Sequence, residues 1–252
     1  NRAYEIRTIE LYEQETKGCE ILAIIGGTGN FINEEIEKVS NFKNVLIMFE
    51  DFGENLLSKW LESEGIIFSQ KYIYDSYGED WDPLIVLASP NSLTSHQAVV
   101  GIDEFILFPT AKAINDEKST WINSDLIYSG IQTWLESSGN NEKDTSETSG
   151  PFLMSLAQEN IETRQKRIIV SDFDITNNQT QQMLPASNQL VLNLFNWLSD
   201  REKIINIPRK SRGLNPISIN DKEIFKIIML YLGLILAVLS QAIVTQVKRK
   251  RK

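Results

Sequence analysis

"ILAIIGGTGNFINEEIEKVSNFKNVLIMF", residues 21–49, reads as strand, glycine turn, helix, strand. Ile21–Ile25 and Val45–Phe49 are short, unbroken apolar runs that read as strands. Between them Asn33 is the expected N-cap of "EEIEKVSNF", with Glu34 and Glu35 in the first turn, where the helix dipole favours negative charge. The same grammar continues downstream. Leu84–Leu87, Phe105–Leu107, Leu126–Tyr128 and Ile168–Val170 read as strands. "ENLLSKWLESEG" places Leu56, Leu57, Trp60 and Leu61 on one helical face and ends at Gly65, a C-cap. "NQLVLNLFNWLSD" repeats this with Leu190, Leu194, Trp197 and Leu198. Alternating strands and helices predict an α/β domain with a largely parallel sheet flanked by helices.

The turn itself, with glycines at 26, 27 and 29, resembles a dinucleotide loop only in part. A phosphate-binding fingerprint needs a third glycine where Ile32 stands. The helix that follows opens with Glu34, Glu35 and Glu37, which oppose an anion at its N-terminus. Without a Lys-Ser/Thr pair it is no P-loop either. The glycines answer a need for backbone freedom.

A second strand end carries "RIIVSDFDITNN", residues 167–178, in which Asp172 and Asp174 form D-x-D-x-T, the pattern of a phosphatase with an aspartate nucleophile. Such a site also needs a lysine and further acids for magnesium. Here the next acid is Asp200, and Lys203 is the only candidate lysine near it. The two aspartates therefore read as acceptors for backbone N–H groups of the loop and helix after the strand. Cys19 precedes a strand instead of following one on the sharp turn that exposes an activated thiol. The one histidine, His96, has no partner legible in the sequence and reads as a surface residue. No catalytic, cofactor or metal residues are expected.

Charge divides the chain. Residues 1–200 hold 13 Lys/Arg against 31 Asp/Glu, a net of −18, and residues 201–252 hold 12 against 3, a net of +9, which together give the −9 of the whole. The acidic body repels phosphate backbones, so nucleic acid is excluded as a partner. The tail contains "IIMLYLGLILAVLSQAIVTQV", Ile227–Val247, followed by Lys248-Arg249-Lys250-Arg251-Lys252. Twenty-one uncharged residues make a helix of about 30 Å, the depth of a hydrocarbon core. The five cations place its C-terminal end in the cytoplasm and the acidic body outside. The expected organisation is an extracytoplasmic domain over 1–204, a juxtamembrane connector over 205–223, a transmembrane helix over 224–247 and a basic tail over 248–252. Residues 137–150, "SSGNNEKDTSETSG", are the expected mobile surface loop. Tyr4–Leu11 reads as a strand, and the chain, opening on Asn1 with no leader pattern, reads as a fragment whose preceding strand is missing.

In order and spacing, these elements resemble the GldG-like auxiliary subunits of bacterial ABC transport systems, including those of gliding motility. The resemblance is carried by "YEIRTIEL", "CEILAIIGGTGNFINEEIEKV", "KNVLIMFED", "LIVLASP", "FILFPTAKAI", "IQTWLES", "IIVSDFDITNN", "QLVLNLFNWLSDREKIINIPRKS", the apolar span and "KRKRK". It implies a class I glutamine-amidotransferase-like fold that has lost its chemistry, since the elbow cysteine and downstream His-x-Glu are absent. It implies a permease as partner and, through it, a separate ATPase, at the bacterial inner membrane. The departures are the missing upstream helix and Ser171 where the family's G-D-S-D-F segment has glycine. The rival readings are a scaffold subunit of another membrane complex and a magnesium-dependent phosphohydrolase using Asp172.

Overall fold

The computed structural model describes residues 4–12, 16–26, 30–49, 55–76, 82–117, 120–201 and 229. The chain falls into two units, residues 1–206 and 207–252. The run Ile227–Val247, Lys203 and the basic tail lie outside the described residues, apart from Met229. Among the described residues no helix is long and apolar enough to cross a membrane.

The first unit is a mixed α/β domain with a mostly sheet core. Its central sheet contains β1 (Leu22–Ile25), β2 (Asn44–Met48), β7 (Ile122–Tyr128), β9 (Leu153–Asn160) and β10 (Gln165–Val170), in the order β1-β2-β10-β9-β7. β1, β2 and β10 run parallel, whereas β9 and β7 are antiparallel to their neighbours. The sheet is thus half parallel, not largely parallel. The cause is a tight β9–β10 hairpin. The Asn160 side chain accepts the N–H groups of Glu162 and Thr163, and Arg164 turns the chain at φ 56°. A turn of this kind leaves no room for the crossover a parallel pair requires.

A smaller antiparallel sheet is built from β6 (Lys112–Asp116), β3 (Ile66–Asp75) and β8 (Thr133–Leu135), in that order. β4 (Val86–Ala88) and β5 (Ile106–Phe108) form a separate antiparallel pair. Among the described residues four α-helices accompany the strands: α1 (Asn33–Asn41), α2 (Leu56–Ser63), α3 (Asn178–Met183) and α4 (Ala186–Leu198).

Apolar packing covers both faces of the central sheet. On one face Leu46, Met48, Ile168 and Val170 meet Leu190, Leu194, Trp197 and Leu198 of α4. On the other, Val45, Ile47, Phe49 and Ile169 meet Val39 of α1, Leu57 and Leu61 of α2, and Ile66 and Phe68 of β3. Each such side chain contributes about 1.5–3 kcal/mol when fully buried. This two-sided burial explains why β2 and β10 are continuous apolar runs.

Two local readings change. Tyr4–Leu11 forms no strand. Its Tyr4 hydroxyl donates to Asn196 at 2.8 Å and its Leu11 carbonyl accepts from Lys38 Nζ at 2.6 Å, so it crosses the amino end of the sheet as a strap. Asn33 is not the cap of α1. Ile32 occupies that place, and the Glu35 carboxylate accepts the Ile32 N–H at 3.1 Å. At α2 the expected signals hold, with Asn55 accepting the Ser58 N–H at 2.8 Å and Gly65 at φ 88°.

Candidate functional site

In open α/β sheets, chemistry gathers outside the carboxyl ends of the strands. Here those ends of β1, β2 and β10 are zipped together. Gly26 N–H donates to the Met48 carbonyl at 2.9 Å, Phe49 N–H to Val170 at 3.0 Å, and Ser171 N–H to Met154 at 3.0 Å. Gly26 sits at φ 77°, with the Phe173 ring packed against it. Gly27, Thr28 and Gly29 lie outside the described residues.

Asp172 stands two residues after the end of β10 and is fully buried. Its Oδ1 accepts the Asp174 N–H at 2.7 Å, and its Oδ2 accepts the Thr110 N–H at 3.1 Å. The first bond closes an Asx turn that starts a 3₁₀ turn over Asp174–Thr176. The second ties the β5–β6 connection to the end of β10. A nucleophilic carboxylate must present a lone pair to a substrate, whereas Asp172 is fully buried and each of its oxygens accepts a backbone N–H. Two hydroxyls next to these groups in sequence, Ser171 Oγ and Thr110 Oγ1, are buried without a hydrogen-bond partner.

The other sequence candidates are not brought to Asp172. Asp200, at φ 54°, accepts from Lys166 Nζ at 2.7 Å, at the opposite end of β10. Six residue steps of extended chain separate Lys166 from Asp172, about 20 Å. The Lys166 ammonium also donates to the Trp197 carbonyl and lies 4.5 Å from the Trp197 ring, serving as a cap for the C-terminus of α4. His96 packs edge-on against the same Trp197 at 5.2 Å, and its Nδ1 accepts the Ala98 N–H at 3.2 Å. It is half-buried, not a surface residue. Burial pushes its imidazole below the ordinary value; Glu159 opposes that and Lys166 adds to it. Cys19 is partly exposed, 3.5 Å from Arg7 Nη2.

Two buried polar clusters escaped the sequence reading. The guanidinium of Arg167 lies 3.8 Å from the Trp121 ring and 4.7 Å from Trp60, and donates to Glu64 at 2.8 Å. Trp121 Nε1 donates to the same Glu64 oxygen at 3.0 Å. Burial pushes the Arg167 pKa down and Glu64 pulls it back. The second cluster organises residues 137–150. Glu136 Oε1 accepts the N–H groups of Ser138 and Gly139, both at 2.7 Å, while its Oε2 accepts from Trp134 Nε1 at 3.0 Å. Glu147 accepts the N–H groups of Ser137 and Asp144 at 2.6 and 2.9 Å. A segment that looks featureless in composition thus has a defined hydrogen-bonded course. Among the described residues no group of three or more His, Cys, Asp and Glu could hold a metal ion.

One cleft, of about 460 Å³, lies beside the ends of β4 and β7, between Ser89–Thr94 and Tyr128–Gln132. Among the described residues no charged side chain lines it. Its polar groups are largely engaged with the protein itself: Ser89 with Ser92, Thr94 with the Asp125 carbonyl, Ser129 with Thr133, Gln132 with Asp75. The Tyr128 phenol is bonded to Asp125, which, with burial, pushes it up to about 12. Among the described residues the cleft is lined by hydroxyl, amide and apolar side chains.

No family model matches the chain. No curated protein matches it either. Among solved structures, the mmIFT52 N-terminal domain is similar over 73% of this chain and 78% of its own, at 14% identity and a TM-score of 0.57. At that identity the likeness concerns the fold alone. A ThuA-like protein from Bacteroides uniformis aligns over 73% of this chain and 71% of its own, at 13% identity and a TM-score of 0.41.

Proposed function

We propose that this chain is a non-enzymatic, membrane-anchored auxiliary subunit of an ABC transporter, whose acidic domain holds a partner or cargo outside the membrane. The glutamine-amidotransferase-like fold, permease and ATPase partners, and bacterial inner-membrane location belong to this proposal and come from the GldG-like sequence resemblance. The single structural observation that supports a non-catalytic role is the double engagement of Asp172 with the backbone of Asp174 and Thr110. Around it, the described strand ends offer Gly26, Phe49, Ser89, Ser129 and Ser171, and none carries the cysteine of an amidotransferase elbow.

The enzyme alternative makes a sharp demand. Purified protein with magnesium should hydrolyse a generic phosphate ester, and Asp172→Asn should abolish it. The non-enzymatic reading expects equal, background rates for both. Loss of a real turnover in the variant would overturn it. For the topology, a reporter fused after Lys252 is expected to be active in the cytoplasm only; activity on the far side would reverse the orientation.

A further inference from the structure

The central sheet treats its two edges differently. At the β7 edge the ladder is interrupted by register shifts around Asp125–Tyr128. The chain at 93–94 then covers it: Leu93 bridges Ile127, Thr94 N–H donates to the Leu126 carbonyl, and Thr94 Oγ1 donates to the Asp125 carbonyl at 2.8 Å. Irregularity and covering are the devices by which proteins keep foreign strands off an edge. β1, at the other edge, has neither among the described residues. It pairs in regular register with β2 alone, and residues 21–26 contain no charge and no proline.

Which groups β1 leaves open follows from its ladder. Gly26 N–H donates to Met48, so by the two-residue period Leu22 and Ile24 also turn their backbone groups toward β2. Ala23 and Ile25 turn theirs outward. No described segment bonds to them. Their side chains are also exposed, Ile25 at 48%, on the face where α4 packs on β2 and β10 instead.

We infer that β1 is the pairing strand of a homodimer, in which two copies join their central sheets antiparallel about a two-fold axis at Ile24. The occupant is a second copy because the open groups are self-complementary. With Ile24 opposite Ile24, Ala23 of each chain meets Ile25 of the other, and each such pair exchanges both of its hydrogen bonds. Ile25 then lies across from the partner's Ala23, extending an apolar strip over both chains. The absence of charge from residues 21–26 matters in a domain of net −18, because it leaves no like charges directly opposite each other along the seam. The covered β7 edge ends the assembly at two copies, giving a closed isologous pair and not a fibre.

The geometry sets its own test. Ile24 against Ile24 is a non-hydrogen-bonded pair, with Cα atoms about 4.5 Å apart, inside the span of a disulfide. In full-length protein kept in mild detergent, with Cys19→Ser removing the native thiol, Ile24→Cys is expected to form an intermolecular disulfide on gentle oxidation. Ile122→Cys, at a more exposed position on the β7 edge, is the control and forms no intermolecular disulfide. Adding Ile25→Lys to Ile24→Cys is expected to abolish the product. Absence of the disulfide at 24, equal yield at 24 and 122, or persistence of the disulfide despite Ile25→Lys each overturns the inference. Circular dichroism of every variant shows that the fold is intact before it is counted.

Discussion

The carboxylate of Asp172 and the backbone N–H of Thr110, 62 residues apart in the chain, lie 3.1 Å from each other. One buried side chain thereby fixes both the turn after β10 and the connection between β5 and β6. Removing it strands two donors. Asp172→Ala is expected to destabilise the domain by about 2–4 kcal/mol, the cost of leaving both N–H groups unpaired. Asp172→Asn keeps one acceptor and costs less. Denaturant midpoints of the three proteins check this order, and near-native stability of the alanine variant would contradict the assigned role.

Arg167 makes a second test. Its side chain is 3% exposed and its partner Glu64 29%. Arg167→Ala is expected to cost about 3 kcal/mol, the lower end of what breaking a buried pair costs, because Glu64 retains some solvent and its bond from Trp121. Replacing both charges, Arg167→Met with Glu64→Leu, should recover most of that loss. The measurement is a double-mutant cycle by urea unfolding, followed by tryptophan fluorescence, since Trp60 and Trp121 flank the guanidinium.

Glu136 is expected to contribute to the acid limb of stability. Burial acts to raise its pKa, but the Trp134 indole, the Gly139 N–H and both donors of Ser138 overcome that and hold it at about 2. A carboxylate depressed in the folded state contributes stability above its unfolded pKa, about 4.3, and loses it as pH falls through the folded value. The domain should therefore weaken between about pH 4.5 and pH 2. Glu136→Gln should lower stability at pH 7 and flatten that slope; an unchanged slope would show that the carboxylate has no such role.

Glycines separate steric from conformational cost. A Cβ on Gly150 would lie 2.3 Å from Thr133 Oγ1 and 2.7 Å from the Gly130 carbonyl, so neighbouring backbone must move. A Cβ on Gly26 would meet only the Phe173 ring at 3.7 Å, an ordinary contact, leaving the positive φ as its cost. Gly26→Ala should thus cost about 1–2 kcal/mol, and Gly150→Ala more. Thermal midpoints of the two variants compare them directly.

What the sequence disclosed follows from where burial is one-dimensional. β1, α1 and β2, and the apolar faces of α2 and α4, were legible because their periodicity matches the surface they bury. β9 was not. "LMSLAQEN" has no β-branched residue and favours a helix locally, yet it is a strand because β10 and β7 pair with it on either side. That one strand changes the sheet from parallel to mixed. The backbone role of Asp172 was readable from its place after a strand, but its partner Thr110 was not, since nothing local joins residues 62 apart. Glu136 and Glu147 lie in and beside a polar stretch, where charge in sequence reads as solvent exposure. In the folded domain both carboxylates turn inward onto backbone N–H groups.

What this chain assembles with is tested most directly by gentle-detergent purification of the full-length protein from native membranes, every co-purifying chain being identified. A polytopic permease together with a soluble ATPase is expected, in constant proportion to this chain. Recovery of other membrane subunits with no ATPase would contradict the transporter assignment.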